Sequence, residues 1–230
     1  MLGKFVDPRL GFRVLPRGTA LPVDLKRFQR FTAANVSDAM GKVLTMCSHI
    51  VPIVPLKAPL VGTAVTVNER AGDNLMIYKA MSIAQPGDVI VIACQGDSNN
   101  ALLGGVMSEM ASALGIAGFV TDGVVRDTSR LAELGIPVFA QGVTPLAPCW
   151  GVPPGQVNCP ISCGGIVVEP GDIVFGDVDG VVVVPQVDAE RVLQLAAQVV
   201  EKEKGYLDSF KNGTGSLIDL AEKELRERGL

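Results

Sequence analysis

The chain has 230 residues, of which 48% are hydrophobic, 5% aromatic and 19% charged, a composition that excludes disorder and coiled coil and is ordinary for one soluble globular unit or at most two small ones. With 20 Lys and Arg against 24 Asp and Glu, the net charge is −4 and no block of either sign forms, so the basic footprint of a nucleic-acid binder is missing. No stretch reaches the roughly 18 apolar residues of a membrane span, and residues 1–18 lack the apolar core of a secretory signal, so a cytoplasmic protein is expected.

Between Asp24 and Met46 apolar positions recur every three or four residues, which predicts one or two helices, with Ser37 and Asp38 available as an internal cap. Val61 to Val67 alternates small and β-branched residues and reads as a strand. A loop over 68–73 and a helix over 74–84 follow. Pro86 presets φ and Gly87 accepts a positive one, so residues 85–88 form a turn ahead of a buried strand over 89–93. Residues 101–114 have helical spacing, Gly115 closes that helix, and the next strand runs over 116–121. This strand–helix–strand unit favours parallel pairing. A short helix over 128–134 and a strand over 137–140 come next. Residues 142–160 carry Pro145, Pro148, Pro153, Pro154 and Pro160 and are expected to be a long ordered loop. Three short strands follow, around 165–168, 173–175 and 180–184. From Val187 to the end the chain is helical, with a break at 211–215. The expected fold is a single α/β domain over 1–230.

The inventory of reactive side chains narrows the chemistry. Cys47, Cys94, Cys149, Cys159 and Cys163 are scattered without zinc-knuckle spacing and are expected to be buried, reduced thiols. His49 is the lone histidine, so any Ser–His or Cys–His nucleophile would depend on it. It is expected to be a structural side chain. Chemistry should therefore rest on carboxylates, Arg, Lys, backbone amides or a metal. Two loops sit where a strand gives way to a helix, the place where α/β folds collect ligands. The first, 94–107, brings Gly104 and Gly105 to a helix N-terminus, which suits either an anion or close helix–strand packing. The second, 121–127, sets Arg126 beside Asp127. That pair can hold a carboxylate and a hard cation, or can be a plain salt bridge with Asp127 capping the next helix.

These segments together resemble the RraA-like family, which includes the 4-hydroxy-4-methyl-2-oxoglutarate/4-carboxy-4-hydroxy-2-oxoadipate aldolases. The resemblance rests on residues 35–41, 71–75, 84–88, 118–127, 164–165, 170–172 and 179–185. It implies an α/β/α domain of the swivelling-domain type, a ring-shaped homotrimer or hexamer, and a Mg²⁺- or Mn²⁺-dependent cleavage of 4-hydroxy-2-oxo diacids to pyruvate, with oxaloacetate decarboxylation beside it. Carried over by position, Asp127 ligates the metal, and Arg126 binds the pyruvate oxygen and stabilises the enolate. The backbone at Gly104, Gly105, Val106 and Met107 holds the substrate carboxylate. Glu203 of the partner subunit, or else Glu201, completes the outer metal shell. The family also includes a non-catalytic regulator of an RNA-degrading endoribonuclease, which is the alternative role. The chain departs from the aldolase pattern at Gly105, where the family has an acidic residue for which Asp97 is the candidate substitute. It departs again at Tyr78, where many relatives have His.

Overall fold

The computed structural model describes residues 11–17, 23–151 and 154–230. In chain order, β1 (Phe12–Val14) is followed by a 3₁₀ segment (Leu25–Arg30), α1 (Ala33–Ala39), β2 (Val51–Pro52), β3 (Leu60–Asn68), α2 (Leu75–Ile83), β4 (Asp88–Ala93) and α3 (Gly105–Ala113). Then come β5 (Gly118–Thr121), β6 (Val124–Val125), α4 (Thr128–Leu134), β7 (Val138–Ala140), β8 (Gly142–Val143), β9 (Gly155–Val157), β10 (Ile161–Cys163) and β11 (Ile166–Val168). The chain closes with β12 (Ile173–Asp177), β13 (Gly180–Val184), α5 (Ala189–Lys211) and α6 (Leu217–Glu227).

Strands β3, β4, β5 and β7 lie side by side and parallel, joined by α2, α3 and α4 as successive crossovers, as the strand–helix–strand pattern required. The nine residues of β3 serve two further neighbours on its free side. β12 pairs antiparallel along residues 60–63 and β9 along 67–68. Alternation along the strands divides the core. Val65, Val67, Ile90, Ile92, Phe119 and Val138 meet Met76, Ile77, Met107 and Leu131 of the crossover helices. Ala64, Val89, Val91, Val120 and Phe139 face the other way, onto Ile161, Cys163 and Val168 of the β10–β11 hairpin. The β12–β13 hairpin repeats the device: Val174, Val181 and Val183 join that second cluster, while Ile173, Phe175, Val182 and Val184 take up α1 and α5. The result is a mixed α/β domain, with α2, α3 and α4 and, beyond β3, α1 and α5 on one face of the main sheet and the β10–β11 hairpin on the other.

Three local expectations change. The helical region after Asp24 stops at Ala39 because Gly41, Lys42 and Leu44 all take positive φ, of 72°, 67° and 56°, and wind the chain out of the helix. Its cap is Thr32, in a reciprocal capping box with Asn35. Ser37 instead pairs its hydroxyl with Thr45 at 2.8 Å. The proline-rich stretch 142–160 is not all loop: its prolines flank β8 and β9, and β9 enters the main sheet between β1 and β3. Only Cys94, Cys159 and Cys163 are buried. Cys47, Cys149 and His49 are exposed, and all five cysteines are free thiols. The N-terminal segment read for a targeting signal lies mostly outside the described residues.

Candidate active site

The helix α3 starts at Gly105, four residues later than its spacing suggested, because residues 101–103 are drawn into a ladder with the second loop. Ala101 bridges Val124, the Leu102 amide donates to the Val124 carbonyl at 2.9 Å, and the Arg126 amide donates to the Leu103 carbonyl at 3.0 Å. The ladder delivers Gly104 and Gly105 directly onto Arg126 and Asp127. A Cβ on Gly104 would lie 2.5 Å from Asp127 Oδ2 and 2.9 Å from Arg126 Cγ, so only glycine admits this approach.

Asp127 holds a left-handed backbone, φ 59° and ψ 40°, which asparagine and aspartate tolerate better than other side chains. It occupies the N-cap position of α4, yet its side chain makes no capping bond there. Instead Oδ2 accepts the Gly105 amide of α3 at 2.9 Å, with Arg126 Nε at 3.7 Å. Both sequence alternatives are thus met in altered form: a loose ion pair, and a cap on the preceding helix rather than the following one. Asp127 retains 47% side-chain exposure and its second oxygen is open. Since Gly105 spends its amide on Asp127, the first turn of α3 offers the amides of Val106 and Met107, which have no intrahelical acceptor.

Arg126 and Asp127 form a ridge between two clefts. The smaller, about 60 Å³, is lined by Gly104, Val106, Met107, Asn74 and Tyr78, with Pro148 at its edge. The larger, about 280 Å³, is lined by Thr128, Val143, Thr144 and Pro145. Among the described residues no three His, Cys, Asp or Glu side chains converge on a metal position. Asp127 could therefore offer a metal one carboxylate only, and a hard divalent cation held there would fill its shell with water and substrate oxygens, as Mg²⁺ characteristically does. Glu203 lines neither cleft. It stands exposed on α5, where Oε2 accepts from Asn35 Nδ2 at 3.2 Å, and Glu201 is exposed beside it. Asp97 does not reach the ridge either. Its oxygens accept the Asn99 amide at 2.9 Å and Asn100 Nδ2 at 3.0 Å, and these bonds outweigh burial and hold its carboxyl below the usual range. At Gly105 the space for a side chain is taken by Arg130, whose Cγ would be 2.8 Å from an added Cβ and whose guanidinium bridges Glu109 and Glu133, each at 2.8 Å.

Sequence reasoning gave no role to four polar residues that build the site. Asp122, 8% exposed, accepts the Cys94 amide at 2.7 Å and the Gly96 amide at 3.3 Å and so clamps the first loop to the second. Burial and that neighbouring carboxylate push the Cys94 thiol up to about 12, so it is an inert packing group. Glu69 and Asp73 cap α2, accepting the Met76 amide at 2.9 Å and the Leu75 amide at 2.8 Å. That frees Asn74, at the N-cap position, to turn into the smaller cleft. The signal available was the run of polar residues Glu69, Asp73 and Asn74 around a helix start, which alone says cap rather than site.

The chain is similar to known proteins over most of its length. A family model described as RraA-like, Aldolase/RraA, matches residues 33–183. A Halalkalibacterium halodurans protein provisionally named 4-hydroxy-4-methyl-2-oxoglutarate aldolase is 42% identical over 172 residues, 75% of this chain and 81% of that protein. A crystal structure of an uncharacterized Pseudomonas syringae protein superposes with a TM-score of 0.71 at 28% identity, covering 85% of this chain and 96% of that one. The structure of the RNA-processing inhibitor RraA from Thermus thermophilis superposes with a TM-score of 0.60 at 28% identity, over 66% of this chain and 91% of that one.

Proposed function

The chain belongs to the RraA-like family, and from that premise we propose that it is a lyase, a divalent-metal-dependent pyruvate aldolase. Its substrate in this reading is a 4-hydroxy-2-oxo diacid such as 4-hydroxy-4-methyl-2-oxoglutarate, cleaved to pyruvate and a second oxo acid, with oxaloacetate decarboxylation as a side activity. The observation that carries the reading is the ridge. One carboxylate oxygen of Asp127 is fixed by an α3 amide and the other is open, beside a guanidinium and two unpaired helix N-terminal amides.

Cleavage breaks the C3–C4 bond, takes the proton from the 4-hydroxyl, and leaves the electron pair on the 2-oxo oxygen as an enolate, which is protonated at C3 to give pyruvate. The amides of Val106 and Met107 hold the carboxylate next to that 2-oxo group, and Arg126 faces the oxygen on which charge develops. A Mg²⁺ or Mn²⁺ ion on Asp127 would supply Lewis-acid polarisation of the same oxygen. Neither lysine nor histidine is required by this mechanism. In this reading the chain works as a homotrimer or hexamer, with Glu203 of the partner subunit in the outer metal shell. Beyond residue 200 the chain exposes Leu207, Phe210, Leu217, Ile218, Leu220 and Leu225, and α6 buries none of its residues, an apolar surface that a second copy would cover.

The test is pyruvate release by the purified protein from oxaloacetate and from 4-hydroxy-4-methyl-2-oxoglutarate, with Mg²⁺ or Mn²⁺ and then with excess EDTA. Release that EDTA abolishes is the expected result, and none from either substrate sinks the proposal. The name of the Thermus relative favours a second reading, a non-catalytic regulator of an RNA-degrading endoribonuclease. Absence of pyruvate together with specific association with such a nuclease would select it.

A further inference from the structure

Three buried polar side-chain atoms have no hydrogen-bond partner among the described residues: Asn74 Oδ1, Ser108 Oγ and Asn158 Oδ1. A buried acceptor left unpaired is costly, so each asks for a partner that the described residues do not supply. Ser108 and Asn158 line neither cleft beside Arg126, whereas Asn74 does. Its amide is oriented by Nδ2, which donates to the Leu102 carbonyl at 2.9 Å, so the atom left over is an acceptor and not a donor. Asn74 is 6% exposed and makes no capping bond to α2, so its side chain is not explained by the helix it precedes.

The open oxygen of Asp127 is the acceptor that this reading gives to the metal, and Tyr78 adds a hydroxyl; the remaining polar groups of the cleft, the amides of Val106 and Met107 and the guanidinium of Arg126, are donors. These suit a carboxylate and a 2-oxo oxygen, neither of which carries a proton to give Asn74. We infer that Asn74 is a specificity-determining residue that accepts a hydrogen bond from a hydroxyl group of the substrate, the group that separates 4-hydroxy-2-oxo acids from oxo acids lacking it. The inference rests on the aldolase reading and deepens it. A polar site built around a hydroxyl discriminates strongly against ligands without one, because the acceptor is then left buried and unpaired.

The experiment compares two reactions in one variant. Asn74→Ala is assayed on 4-hydroxy-4-methyl-2-oxoglutarate and on oxaloacetate, which has no 4-hydroxyl. The expected result is a fall of at least ~10-fold in kcat/KM for the hydroxylated substrate relative to oxaloacetate. Damage to packing lowers both reactions together and leaves the ratio unchanged, and that outcome overturns the inference. A second measurement on the wild-type protein needs no variant: 2-oxoglutarate, which lacks the hydroxyl, should bind at least ~10-fold more weakly than 4-hydroxy-2-oxoglutarate in the presence of Mg²⁺. Equal binding overturns the inference even if Asn74→Ala does not fold. Failure of the aldolase reading has a different signature, no pyruvate from either substrate with wild-type protein, and it takes the inference down with it.

Discussion

Asp122 and Asp127 stand five positions apart at the two ends of one strand-end segment and have opposite fates. Asp122 is buried and spends both oxygens on backbone amides of the neighbouring loop, at Cys94 and Gly96. Asp127 sits on a left-handed backbone with one oxygen on Gly105 and the other facing open clefts. Identical chemistry therefore does two jobs. A carboxylate whose acceptors are all taken holds loops together, and one whose acceptors are half taken is oriented and still available to a ligand.

The sharpest way to break this comparison is to make the same substitution at both positions. Asp127→Asn keeps an acceptor for Gly105 and the tolerance of a positive φ, while removing the charge. Turnover should fall at least ~10³-fold, with the urea midpoint almost unmoved. Asp122→Asn turns an amide NH₂ toward backbone donors in a buried site and should cost about 2–3 kcal/mol of stability, with kcat of the folded protein within ~3-fold of wild type. Pyruvate release and urea unfolding on both variants check the pair. If the two exchange signatures, the assignment of roles is wrong.

What the sequence reveals follows the same division. Arg126, Asp127 and the paired glycines are legible because each is placed by its own strand or helix, and strand–helix junctions announce themselves in local pattern. Asp122 and Asn74 are not, because the atoms that define them, the Cys94 amide and the Leu102 carbonyl, each lie 28 residues away. The same holds for β9, whose place in the sheet depends on β1 and β3 and not on its proline-rich surroundings. Glu203 is further removed, since its assigned role belongs to a second copy of the chain. The late start of α3 has a tertiary cause as well: residues 101–103 have helical spacing but are captured by the ladder to Val124 and Arg126.

A smaller contrast separates the two acidic caps of α2 from Asp122. Burial, with the nearby charge of Asp73 adding to it, raises Glu69 to about 7 against the Met76 amide that lowers it. An acid whose folded pKa lies above its unfolded value binds more protons when folded, so stability must fall as pH rises. The contribution is fully present below the ordinary value of 4.5, is lost as pH climbs through about 7, and is constant above that. The span corresponds to a loss on the order of 3 kcal/mol. Urea titrations from pH 4.5 to 8 should show this decline in the wild type and a flatter profile in Glu69→Gln. Equal slopes in the two proteins would mean that Glu69 ionises normally and that the cap is held by charge after all.

The smallest effect concerns the departure at Gly105. Adding a methyl group here raises helix propensity by up to about 1 kcal/mol, but the new Cβ would meet Arg130 Cγ at 2.8 Å and Cβ at 3.1 Å. These are the root of the side chain, not its mobile end, so Arg130 has to swing as a whole and release Glu109 and Glu133. Gly105→Ala should therefore destabilise by about 1 kcal/mol despite its better propensity. In an Arg130→Ala background the nearer contact is gone and the same substitution should become neutral or stabilising. A double-mutant cycle by urea unfolding reads this reversal directly. Additive effects would show that Gly105 is glycine for a reason unrelated to Arg130. Coupling would show that the space an acidic side chain would need has been given to a guanidinium that ties α3 to α4.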